Sequence, residues 1–450
     1  MTDLQKLRAA AREIFDAALD ASDPRRAVLG AVEFDGRRLR ACGETFTLSG
    51  SAPRVYSVAL GKAAAAMAAA LDERLSGALA GGVLSAPPSD VKLSARWRVF
   101  AGGHPLPNAA SAEAALAAFE MLRAADDPSA VVIFLVSGGG SAMIEAPRDA
   151  RLTLEELREA NRALVNCGAP IAEVNAVRRA LSAVKGGGLA ARAPHAAQVT
   201  LVVSDVEAGR AYDVASGPTL EAPADSTPVA EVVARYGLAS SLPPAVLRAL
   251  AGPGARQAPA QRPRGSFEVL LDNETACEAA ARAARGRGFS VGRARDVVEQ
   301  PVGEGAAALA SRLRELYEHE GGAGGRGVCL VSGGEFSCPV RGGGVGGRSS
   351  ETALRLAFEF ARAEGARAPS SLPAHTVALC AGTDGVDGAS PAAGALADET
   401  TLARARALGL DAQRFLDESD SHTFFERLGD AVVTGPTGTN VRDLRILIAL

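Results

Sequence analysis

Seven apolar runs with strand character alternate along this chain with Ala- and Leu-rich stretches of helical spacing. The runs lie at 55–60, 131–136, 199–203, 267–271, 328–331, 377–380 and 431–434. The helical stretches include 64–75, 110–123, 153–166, 174–184, 276–285, 306–320, 352–364 and 399–408. Such alternation predicts an α/β fold, with parallel-rich sheets flanked by helices. Ligands in folds of this kind gather beyond the carboxyl ends of strands. Nearly every glycine-rich motif here falls at one of those ends. A chain of 450 residues exceeds one ordinary core, so two domains are expected. The stretch 251–265, AGPGARQAPAQRPRG, is rich in Pro, Gly and Arg and puts the boundary near residue 250.

Charge narrows the partners. Lys and Arg total 48 against 52 Asp and Glu, a net charge of -4. Nucleic-acid binders usually carry a basic surplus, so none is expected as partner. Small anionic ligands need only local positive charge and stay open. No stretch has the length and continuous apolarity of a membrane span. Leu4, Leu7, Ala11, Ile14, Phe15 and Ala18 share one helical face, which reads as an amphipathic surface helix rather than a signal peptide. A cytoplasmic protein is the expectation. Six cysteines without a C-x-x-C pair read as free thiols, and the histidines show no metal spacing. A homo-oligomer is left open.

The chemistry concentrates in a few loops. The apolar run at 328–331 ends in Ser332-Gly333-Gly334-Glu335. A glycine-dense segment follows, then Arg348, two serines and Glu351 at a helix start. Side-chain-free backbone lets amide groups approach an anion, and an arginine adds a planar donor. A similar loop, Ser137-Gly138-Gly139-Gly140-Ser141, follows 131–136. The run 342–349, GGGVGGRS, formally matches P-loop and dinucleotide patterns. It lacks the strand that either needs directly before it, so both are rejected. Lys62 stands after a strand and a glycine, at the start of an alanine helix. The helix dipole mildly disfavours a cation there, which points to an anionic ligand. Asp205, Asp384 and Asp387 sit at strand ends, where carboxylates can hold Mg²⁺ or simply make turns. Asn175, Arg178 and Arg179 precede Lys185 and three glycines on and after one helix.

Together these stretches resemble the class II glycerate 2-kinases, whose C-terminal part is the MOFRL domain. The resemblance rests on VALGKAA at 58–64, GGHPLP at 102–107, VSGGGSA at 136–142 and NAVRRALSAVKGG at 175–187. It continues through SDV at 204–206, ASGPT at 215–219, SGGE at 332–335, GGR at 346–348, AGTDGVDG at 381–388, DSHTFF at 420–425 and TGPTGTNVRDL at 434–444. It implies a Rossmann-like α/β domain over 1–250, a MOFRL-like α/β domain over 251–450, and an active site in the interdomain cleft. It implies ATP- and Mg²⁺-dependent phosphorylation of the 2-hydroxyl of D-glycerate, a small-molecule substrate. Lys62 and Arg348 would be the catalytic cations. Ser137, Gly138, Gly139, Gly140, Ser141, Lys185, Gly333, Gly334 and Glu335 would bind nucleotide or phosphate. Asn175 and Arg178 would bind substrate, and Asp205, Asp384 and Asp387 the metal. The chain departs from the family pattern at Glu207-Ala208-Gly209, Gly343, Ser349 and Pro391. Two other readings stand beside this one: an NAD(P)H-dependent hydroxypyruvate reductase, and a nucleotide-binding relative impaired in catalysis.

Overall fold

A computed structural model describes residues 2–48, 54–221, 227–252, 265–321, 327–365 and 375–450. Most of the expected linker, 253–264, lies outside the described residues. The chain forms two compact units. One is continuous, 24–270, and the other combines 1–23 with 271–450.

In the continuous unit a small antiparallel sheet comes first: β1 (Glu33–Phe34), β2 (Arg38–Ala41) and β3 (Glu44–Thr47). The main sheet contains β4 (Val55–Leu60), β5 (Leu79–Ala86), β6 (Trp97–Ala101), β7 (Val131–Ser137), β8 (Ala197–Val203) and β9 (Gly265–Leu271). Its order is β6-β5-β4-β7-β8-β9. The pairs β4–β5, β5–β6, β4–β7 and β7–β8 are all parallel. The uninterrupted apolar character of β7 follows from cover on both faces. Val58, Val132 and Phe134 pack with Ala114, Ala118 and Leu122 of the helix Ala109–Ala124. A separate helical cluster centres on Leu157, Val177, Val232 and Val246. From β4 the chain builds outward to β6, then returns to the other side of β4 with β7. Two carboxyl-end loops therefore diverge between β4 and β7, the position where ligands bind in open α/β sheets.

The other unit has β10 (Ser290–Arg293), β11 (Val328–Gly334), β12 (Thr376–Gly382), β13 (Gly394–Asp398), β14 (Ala431–Val432) and β15 (Asp443–Ala449), ordered β10-β11-β15-β12-β13-β14. Here the sheet is mixed. β10 and β11 are parallel, whereas β15 lies between β11 and β12, antiparallel to both. β14 pairs with β13, and β15 enters the middle of the sheet.

The division at 1–250 and 251–450 also needs correction. The helix Asp3–Ala21, started by a Thr2–Gln5 capping box, folds with the C-terminal residues. Leu7, Ala11, Ile14, Phe15 and Ala18 are fully or almost fully buried. Arg8 reaches the buried carboxylates of Asp398 and Asp430. Its apolar stripe was legible, but the surface that it covers was not.

Candidate functional site

In the continuous unit, Lys62 and the Ser137–Ser141 loop meet at the divergence of β4 and β7. The Lys62 amide donates to the Gly138 carbonyl at 2.8 Å, and the Ala63 amide to Ser137 Oγ at 3.1 Å. Gly61 has φ +112°, and a Cβ there would stand 2.3 Å from Ser137 Oγ. Only glycine allows the two loops this close. A Cβ on Gly139 would stand 3.1 Å from His104 Cδ2 and 3.2 Å from Lys62 Cγ, so the loop passes directly beside both side chains. Asp205 closes the group from the end of β8. Its Oδ2 would lie 1.9 Å from a Cβ on Gly138. Lys62, Ser137 to Ser141 and Asp205 are thus brought together, with His104 added.

A hydrogen-bonded chain runs from Ser141 into the interior. Ser141 Oγ and Ser216 Oγ are 2.7 Å apart, and Ser216 Oγ donates to Asn175 Oδ1 at 2.9 Å. Asn175 Nδ2 donates to Asp213 at 3.1 Å. Asp213 also accepts from Arg179 at 3.2 Å and from Arg210 at 3.0 and 2.6 Å. Asn175 therefore belongs with the loop. Arg178 does not: its Nε donates to Asn161 Oδ1 at 2.9 Å. Successive helical residues point about 100° apart, so Arg179 rather than Arg178 joins the network. Lys185 is buried. It is 1% exposed and paired with Glu145, itself 3% exposed. Burial pulls its ammonium below the ordinary lysine range, and Glu145 opposes that shift. Lys185 is an interior ion-pair member, not an exposed anion ligand.

In the other unit Arg348 opens the helix Arg348–Gly365. Its guanidinium donates to Asp443 through Nε at 2.6 Å and Nη2 at 3.0 Å, and Nη2 is 2.7 Å from Glu335 Oε1. Burial works against its charge, but Asp443 and then Glu335 outweigh this and raise its pKa. Arg445 lies behind Asp443, 4.0 Å away and 2% exposed. Asp387 accepts from the Ser349 amide at 2.9 Å, the Ser350 amide at 2.8 Å and Ser350 Oγ at 2.6 Å. It thus caps the helix that carries Arg348. Burial pushes its carboxyl up to about 6, which leaves it mainly ionised at neutral pH. Asp384 Oδ1 accepts from the Val386 amide at 3.1 Å, an ordinary turn contact.

Two glycine readings change. Gly333 and Gly334 lie inside β11, opposite Leu444 and Asp443 of β15. The Gly334 amide donates to Asn273 Oδ1 at 2.9 Å, and both carbonyls accept from Arg445. A Cβ on Gly333 would stand 1.8 Å from Asn273 Oδ1. Glycine at these two positions leaves room for Asn273 and Val298. In the 342–347 run, a Cβ on Gly342, Gly344, Gly346 or Gly347 would meet Glu418, Asp420, Ser421 or Asp387 at 2.3–2.5 Å. The run is glycine-rich because it lies flat on neighbouring backbone. Gly343 has nothing within 4 Å. Accordingly, Gly344→Ala should destabilise the protein by about 1–3 kcal/mol, and Gly343→Ala by less than about 0.5 kcal/mol, in denaturant melts. Equal effects would contradict this packing account.

Two family models match the chain. One, a domain of unknown function designated DUF4147, covers residues 10–251, and the MOFRL family covers 328–443. A glycerate 2-kinase from Pyrococcus horikoshii is 33% identical over 440 residues, 96% of this chain and 94% of that protein. The chain belongs to the MOFRL-domain glycerate kinase family. A family member from Agrobacterium vitis with the provisional name hydroxypyruvate reductase is 38% identical over 405 residues, 88% of this chain and 99% of that protein. The crystal structure of a Thermotoga maritima glycerate kinase matches with a TM-score of 0.80 at 29% identity, covering 99% and 100% of the two chains.

Against the glycerate kinase family pattern, the Ser349 departure falls where the helix cap uses the backbone amide, so the cap persists. After Glu207-Ala208-Gly209 comes Arg210, which binds Asp213. Sequence reading missed Asp443, Arg445, Glu145, Asp213 and Ser216. A signal existed for the first two: they are charged residues at alternate positions of an otherwise apolar run. Among the described residues, no group of three or more His, Cys, Asp or Glu side chains is placed to hold a metal ion, and no helix is long and apolar enough to cross a membrane.

Proposed function

We propose that this protein is an ATP- and Mg²⁺-dependent kinase that phosphorylates the 2-hydroxyl of D-glycerate. The observation that carries this reading is the seating of Lys62 against Gly138 where β4 and β7 diverge. Phosphoryl transfer depends mostly on positioning and charge neutralisation. Lys62 and Arg348 are the cations proposed to neutralise phosphate charge, while Ser137, Ser141 and the Gly138–Gly140 backbone would hold phosphate oxygens. Asn175, held by Ser216 and Asp213, would orient the acceptor. The donor set suits a metal-bound nucleotide. Mg²⁺ typically takes one or two carboxylates and completes its shell with water and phosphate oxygens, so no protein cage is needed. Asp205, beside the loop, or Asp384, half-buried in its turn, would supply a carboxylate to it. When bound, the ion would supply charge neutralisation at the phosphates. A cytoplasmic setting belongs to the same reading, since the six free cysteines suit a reducing compartment.

An ADP-release assay over short hydroxy acids, with product NMR, tests this. ADP should form with D-glycerate only when ATP and Mg²⁺ are present, and phosphate should appear on C2. Phosphate on C3, or turnover without a divalent metal, would overturn the reading. NADH oxidation with hydroxypyruvate would favour the reductase name carried by some relatives. ATP binding without transfer would mark an impaired enzyme.

A further inference from the structure

We propose that Asp443 and Glu335 are positioning residues, which clamp the Arg348 guanidinium and leave one amino edge open for a phosphoryl oxygen. This rests on the kinase reading above.

An arginine has five N–H donors in a rigid plane. Two of those in Arg348 are taken by Asp443, on Nε and on Nη2, and Glu335 Oε1 forms an ion pair 2.7 Å from Nη2. Nη1 has no hydrogen-bond partner among the described residues, and 37% of the side chain is exposed. The plane of the guanidinium is therefore set by the bidentate Asp443 contact, with the Glu335 carboxylate against its Nη2 end. An arginine that only tied the helix to the sheet would need Asp443 alone.

The clamp is itself held rigidly. Asp443 begins β15 and pairs with Gly334 on one side and Gly382 on the other. Its carbonyl accepts from Asn273 Nδ2 at 3.0 Å. Two carboxylates beside one arginine would repel an incoming phosphate. Arg445 offsets this, giving two anions and two cations in the group. It cannot swing away, because it donates to Gly334 O at 3.1 Å and Ser332 Oγ at 3.3 Å, and stacks 3.5 Å above the Phe336 ring. The glycines at 333 and 334 make that arrangement sterically possible. Glu335, read from sequence as a nucleotide contact, acquires a role suited to its negative charge: it aims a cation.

Chemical rescue tests the clamp. Arg348→Ala should lose most activity with ATP, Mg²⁺ and D-glycerate, and free guanidinium at tens of millimolar should restore at least about tenfold, since the clamp would orient the added ion. An equal concentration of NaCl should restore nothing. Adding Asp443→Asn to Arg348→Ala should abolish the rescue. Adding Glu335→Gln should raise the guanidinium concentration that it needs. In the otherwise intact enzyme, Asp443→Asn should lower kcat by about a hundredfold, with the KM for D-glycerate changed by less than about threefold. Glu335→Gln, at the accessible side of the group, carries the test if Asp443→Asn does not fold. Undiminished rescue in the Glu335→Gln double variant would overturn the clamp, as would unchanged kcat in both carboxylate variants. Wild-type protein without kinase activity would overturn the kinase reading first, and the clamp with it.

Discussion

Lys62→Ala should reduce kcat for glycerate phosphorylation by about a thousandfold or more and leave the melting temperature within about 2 °C of wild type. Its backbone is fixed by the Gly138 carbonyl, a contact that alanine retains. The loss therefore falls on the ammonium. A cation earns its largest effect where negative charge spreads in the transition state inside a preorganised site. The lysine stem is half-buried beside Gly139 and His104, so the charge is delivered from a defined direction. A kcat within tenfold of wild type would remove Lys62 from the chemistry. A large fall in melting temperature would instead make it part of the scaffold.

Glu145→Ala should cost about 3–5 kcal/mol, because it strands the Lys185 ammonium in the interior without its counter-charge. Lys185 is 1% exposed, and Ser182 Oγ also donates to Glu145, at 2.6 Å. For a unit of this size, that corresponds to a fall of about 10 °C in melting temperature. Replacing both partners, Glu145→Leu with Lys185→Met, should recover most of the loss, since the desolvation cost of two ions disappears with their attraction. A melting temperature unchanged in Glu145→Ala would mean that Lys185 escapes to solvent, which would reopen its role as an anion ligand.

These residues also mark how far the sequence could be read. The alternation of strand and helix was legible because period and composition are local properties. Lys62, the Ser137–Ser141 loop and Arg348 stood out because each lies at a strand end or helix start, and the fold places ligands there. Lys185 misled because a lysine before glycines looks the same whether it faces water or Glu145, a partner 40 positions away. The 342–347 glycines misled for a related reason. Glycine permits close approach of any group, and the sequence does not say whether that group is an anion or the backbone around Glu418 and Asp420. Arg178 and Arg179 were separable only by knowing which side of their helix meets Asp213. The central place of β15 was invisible, since strand order is set by pairing between segments more than 50 residues apart.

That place in the sheet bears on how the chain is made. Residues 24–270 form a unit whose parts are all synthesised before the other unit can be finished. The helix 3–21 must wait for partners far along the chain: the helix 273–286, and then β12 and β15. Until residue 449 has left the ribosome, β11 and β12 lack the strand that joins them. A nascent chain therefore carries one finished unit and one divided sheet with two open strand edges, the state in which chaperones are most needed. Loss of β15 would remove the middle of a sheet rather than trim its margin.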